Sequence, residues 1–101
     1  MKLLTKDILK KLPNPDKQDG RIYVKYFHPV SNWKWYAMEY DRDNEMFFGF
    51  VHGDYGELGS FALSDLTDNK VMGLPFERDL YWDDKTTLKE VQSASANGFP
   101  L

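Results

Sequence analysis

The connections between the β-prone runs of this chain are too short to let those runs pair in parallel. Arg21–His28, Trp33–Tyr40, Met46–His52 and Glu57–Leu63 are each rich in β-branched or aromatic residues. Between them lie Pro29–Asn32, Asp41–Glu45 and Gly53–Gly56, none longer than five residues and all carrying turn formers. A parallel crossover takes about a dozen residues. The runs are therefore expected to pair antiparallel. A fifth run, Phe76–Trp82, follows a longer connection.

Helical signals bracket these strands. Thr5 is a ready N-cap for a helix reaching Leu12, with Leu4, Ile8 and Leu12 on one face and Pro13 as its stop. Ser64 is placed to cap a short turn through Leu66. Thr86 or Thr87 is placed to cap a last helix through Leu88, Val91 and Ala94, ended by Asn97-Gly98. The reading is α+β: a largely antiparallel β-meander of about five strands with an N-terminal and a C-terminal helix packed on it. Residues 1–101 read as a single domain. The period-two pattern puts Ile22, Val24 and Tyr26 on one face, and Trp33, Trp35, Ala37 and Glu39 on one face.

Charge is distributed unevenly. The stretch from Glu39 to Asp84 holds twelve of the sixteen acidic residues and three basic ones, Arg42, Lys70 and Arg78. The remainder holds ten Lys/Arg and four Asp/Glu, so a net charge of −3 conceals a strongly acidic middle. Such a surface repels phosphates, and the pI of about 5.3 lies far from a nucleic-acid-binding footprint. Direct nucleic-acid binding is not expected. There is no Cys, which removes disulfides, Cys-based zinc sites and thiol catalysis. The start of the chain has no long apolar run, and no segment has the roughly 20 apolar residues of a membrane span. The expectation is a cytoplasmic protein with no membrane role.

Two groups of residues are candidates for function. Glu39, His52, Glu57, Glu77 and Asp79 lie in strands or at their ends, and one imidazole with several carboxylates is a donor set for zinc or a similar divalent metal. The alternative is a rim of solvated edge charges. Asp41, Asp43, Glu45, Asp83 and Asp84 are candidates for a partner-binding surface. The Asp41-Arg42-Asp43-Asn44-Glu45 run has the start of a calcium loop, but the sixth position is Met46 and the twelfth His52, so that reading fails. No G-x-S-x-G elbow and no phosphate-binding glycine loop is present.

Several segments taken in order, among them Trp35-Tyr36-Ala37-Met38-Glu39-Tyr40-Asp41, Phe48-Gly49-Phe50-Val51-His52-Gly53 and Gly73-Leu74-Pro75-Phe76-Glu77-Arg78-Asp79-Leu80-Tyr81, resemble a family of small uncharacterised domains (a domain of unknown function) carried by plasmids, phages and integrative elements. The resemblance covers most of the chain and implies no settled activity. It stresses the acids at Glu39, Glu57, Glu77 and Asp79, and it implies Asp in many members at the place of His52. Together with the acidic middle, it leads to the expectation of a non-enzymatic inhibitor stabilised by a bound divalent metal such as zinc. Such a protein is anti-CRISPR-like: it meets a basic host defence nuclease, such as a Cas effector, and blocks its DNA loading. A metal-dependent hydrolase using the same carboxylates with His52, and an accessory protein of plasmid transfer, are the alternatives.

Overall fold

The computed structural model describes residues 1–101. Its elements in chain order are α1 (Lys6–Lys11), β1 (Val24–Phe27), β2 (Lys34–Asp41), β3 (Met46–His52), β4 (Gly56–Ala62), α2 (Leu63–Thr67), β5 (Lys70–Val71), β6 (Leu74–Pro75), β7 (Glu77–Arg78) and α3 (Leu88–Ala96). Five strands form one sheet in the order β4-β3-β2-β1-β7, and every pairing is antiparallel. The α+β reading holds. Four strands follow one another as a meander. The chain then leaves β4 through α2 and the small β5–β6 hairpin, and β7 joins the opposite edge of the sheet.

Each face of the sheet carries its own core. On one face Val24, Tyr26, Ala37, Tyr40, Phe47 and Phe61 pack with Leu3, Leu12 and Leu66. On the other, Ile22, Tyr36, Met38 and Phe50 pack with Val91 of α3. Local chemistry fixes both flanking helices. Thr5 accepts from the Ile8 N–H at 3.2 Å and starts α1. Thr87 and Glu90 form a reciprocal capping box that starts α3. Arg42 ties α1 down at its other end. Its guanidinium donates to the carbonyls of Leu9 and Leu12 and to Asn14 Oδ1, which satisfies carbonyls the helix leaves free.

Three departures from the simple pattern matter. The register between β2 and β3 shifts between Ala37 and Glu39, so Met38 is an extra, bulged residue. Tyr40 therefore joins the face of Ala37, and Glu39 falls on the face of Tyr36 and Met38. Ile22 likewise leaves the face of Val24 and Tyr26, because its N–H bonds to the Thr86 carbonyl before β1 begins. The last strand is short: β7 spans two residues rather than Phe76–Trp82, and the Trp82 indole turns inward to donate to the Ile22 carbonyl at 2.9 Å. In addition, Ser64 lies inside α2 rather than capping it; the Asp65 carboxylate accepts from the Ala62 N–H instead.

Candidate functional site

The register decides what the five proposed metal ligands can share. His52 lies opposite Gly56, whereas Glu57 lies opposite Val51. Successive residues of a strand point to opposite faces. The short turn therefore places His52 and Glu57 on different sides of the sheet. Glu39 lies opposite Phe48, about 13 Å along the strand direction from His52. Glu77 is paired with Phe27 at the far edge, three strand spacings or roughly 14 Å from His52. No three His, Asp or Glu side chains of the protein converge to hold one ion. The five residues do not fit a single zinc-type centre, and no chemistry is assigned to one.

Each of these residues has a local setting instead. Asp79 pairs with Lys25 at 3.6 Å. Glu77 and Asp79 line a cleft of about 300 Å³ together with Lys25, Lys34 and Arg78, where three cations face two carboxylates. Glu39 is 8% exposed beside Met38 at the bulge. Glu57 is exposed on the outermost strand.

His52 sits in a directional chain of hydrogen bonds. The Lys34 ammonium donates to Asn32 Oδ1 at 3.4 Å, which turns the Asn32 amide nitrogen toward His52. That nitrogen donates to His52 Nε2 at 3.5 Å, so the ring proton resides on Nδ1 and is donated to Ser95 Oγ at 2.6 Å. Burial, then the charge of Lys34, holds the imidazole below its ordinary pKa and keeps it neutral. In this tautomer the Nδ1–H donates and Ser95 Oγ accepts, so the ring holds the serine hydroxyl in place. Ser95 pins α3 to the end of β3.

The acidic residues divide into two sets. Asp84 accepts from Lys11 at 3.0 Å and from Arg21 at 3.4 Å, and those cations hold its carboxyl below the usual range. Asp83 accepts from the Lys85 N–H in a local turn. At the β2–β3 tip, Asp41 is occupied by the turn itself through Asn44 and the Asp43 N–H. The other set is contiguous. From Asp43 to Asn69 the chain has six acids, Asp43, Glu45, Asp54, Glu57, Asp65 and Asp68, and no Lys or Arg. This segment builds β3, the edge strand β4 and α2, with Asp43 and Glu45 in the turn before β3, Asp54 in the turn between β3 and β4, Glu57 in β4, and Asp65 and Asp68 in and just after α2, so the six lie at both ends of the β3–β4 side of the sheet. All six are exposed. The protein's ion pairs involve only Asp19, Asp79 and Asp84 among the acids, so none of the six is paired.

Residues 3–99 match the model of the family described as "Protein of unknown function (DUF2958)". The chain belongs to that family. No curated protein and no solved structure matches it. In this DUF2958 domain, the residues that sequence reasoning missed are Asp65, Asp68 and Asp54 at the acidic edge, and Asn32 and Ser95 around His52. The first three were legible in principle as part of a run free of cations. Ser95 is 43 residues from His52 and carries no local signal. His28 also has a defined task in the DUF2958 domain. It accepts from the Val30 N–H at Nδ1 and donates from Nε2 to the Leu74 carbonyl at 2.9 Å, fastening β6 to the end of β1.

Proposed function

We propose that this protein is a non-catalytic binding protein whose acidic edge, built by β3, β4 and α2, docks on a basic surface of a nucleic-acid-handling protein and keeps nucleic acid out. The observation that carries this reading is the set of six exposed carboxylates, none in an ion pair, spread over the β3–β4 side of the sheet in a segment without a single Lys or Arg. Unpaired charge on a rigid sheet edge sets up a directional field and steers a cationic partner into contact. A defence nuclease with a basic DNA channel, such as a Cas effector, is the partner class favoured by this chemistry, and the inhibition would be anti-CRISPR-like.

The test is direct. A guide-loaded Cas effector is mixed with the protein, and loading of labelled duplex is followed by anisotropy at low and at physiological salt. The wild-type protein is expected to slow loading, more strongly at low salt, because exposed charges are screened beyond about 8–10 Å at 0.1–0.15 M. The variant Asp43→Lys/Glu45→Lys/Asp65→Lys is expected to lose the effect. Equal inhibition by a folded variant would remove the acidic edge as the contact.

A further inference from the structure

We propose that the free edge of β4 accepts an extended, Lys- or Arg-bearing segment of the partner as an added strand. This rests on the acidic-edge reading and specifies how the contact is made.

β4 is the outermost strand on its side of the sheet and pairs with β3 through seven uninterrupted register positions. In an antiparallel pair, every second residue turns its N–H and C=O away from the neighbour. Ala62 is committed there, its N–H to Asp65 and its carbonyl, as the cap residue of α2, to the first helical bond; at Gly56, Leu58 and Ser60 no intramolecular hydrogen bond reaches that outer side. The opposite edge of the sheet is protected by brevity, since β7 has two residues. β4 has seven, with no Pro, no Lys and no bulge, and Glu57 as its one charge. The usual devices that close an edge are almost all missing.

Gly59, at the centre of this strand, points the same way. The protein has seven glycines, and the fold accounts for six. Gly20, Gly73 and Gly98 have φ of +82°, +78° and +81°. At Gly49, Gly53 and Gly56 a Cβ would lie 1.8, 2.7 and 2.6 Å from Tyr36, Trp33 and Phe50. Gly59 has neither reason: its φ is not left-handed, and a Cβ there would meet nothing within 4 Å. Glycine weakens a strand, and in a strand interior it marks a place where another backbone comes close. It faces Gly49 across the ladder, so the middle of this edge is bare main chain.

Charge selects the occupant. Asp54 and Glu57 stand near one end of β4, and Asp65 and Asp68 follow its other end. A second copy of the chain would bring the same carboxylates against these and be repelled. A basic strand would be attracted, its main chain would satisfy the free edge, and Leu58, 48% exposed, offers apolar contact.

The probe is an acetylated heptapeptide alternating Lys and Val, with two relatives N-methylated on its odd or on its even residues. An added strand turns only one of its edges toward β4. One methylated relative is therefore expected to bind at least about tenfold more weakly while the other binds like the parent, since the hydrogen bonds to β4 are lost in one phase only. Amide exchange of β4 is expected to slow on binding. Gly59→Val is expected to fold at least as stably as wild type and to weaken binding by a similar factor. If both methylated peptides bind like the parent and β4 exchange is unchanged, strand addition is overturned while the acidic-edge reading stands. If no peptide binds even at low salt, both are overturned.

Discussion

The carbonyl oxygen of Tyr36 occupies the space where a side chain at Gly49 would begin: a Cβ there would lie 1.8 Å from it. This oxygen belongs to the backbone of the central strand, next to the bulge, and cannot rotate away. Gly49→Ala is therefore expected to destabilise the protein by about 3 kcal/mol or more, at or above the upper end of ordinary overpacking. Urea unfolding followed by tryptophan fluorescence measures it. A loss under about 1 kcal/mol would mean that β2 and β3 separate easily at this point.

His52 makes stability depend on pH. Its folded pKa is lowered below the ordinary 6.5, first by burial and then by Lys34. The unfolded chain then binds more protons in the window just below pH 6.5, so stability rises with pH there. The contribution is complete above about pH 6.5 and is lost as pH falls toward the folded pKa. The melting temperature is expected to drop between pH 7 and 5, and His52→Gln is expected to flatten that slope.

Asn32→Asp is expected to act in the opposite direction. A carboxylate 3.5 Å from Nε2 in place of the amide nitrogen favours the imidazolium. NMR titration should then find the His52 pKa raised relative to wild type. An unchanged value would show that Asn32 does not orient the ring.

Arg42 lies within the charged β2–β3 tip in sequence, yet its guanidinium is committed to α1. Arg42→Ala removes the bonds to Leu9, Leu12 and Asn14 and is expected to cost about 1.5–3 kcal/mol, the range for hydrogen bonds to charged groups. Arg42→Lys is expected to recover little, because an ammonium cannot bridge several acceptors as a planar fork does. Amide exchange of α1 should accelerate in both variants.

The dispersed carboxylates lead to a further expectation. One equivalent of zinc added to chelator-treated protein should leave the melting temperature unchanged, because a ligand stabilises the native state only where that state binds it. A rise that disappears in both His52→Ala and Glu57→Ala would show that the two act together, against their placement on opposite faces.

Much of the fold was legible because its signals are local. Thr5, Thr87 and Glu90 announce helix starts through contacts three residues away. The turns at Pro29–Asn32, Asp41–Glu45 and Gly53–Gly56 fix antiparallel neighbours. Facing was less legible. Nothing in the run Ala37-Met38-Glu39 reveals a bulge, because the bulge is set by how β3 lies against it. The proposed metal set failed for a related reason. His52 and Glu57 are near in sequence, but the turn pairs residue 52 with residue 56 and sends the next side chain to the other face. Glu77 fell at the far edge because the long connection crosses the sheet, which no short-range pattern encodes. The acidic edge could be read further, since consecutive strands of a meander keep a charged segment together in space.

The bulge at Met38 also determines where this sheet can change length. Every pair on either side of it, from Lys34↔His52 to Asp41↔Met46, is satisfied without counting Met38. Deleting that one residue would leave both halves of β2 in step with β3 and remove only a buried methionine side chain. A single deletion elsewhere in the strand would put one half out of step and turn its inward residues to the other face. Position 38 is thus where β2 can lose a single residue without rewriting the pairing around it.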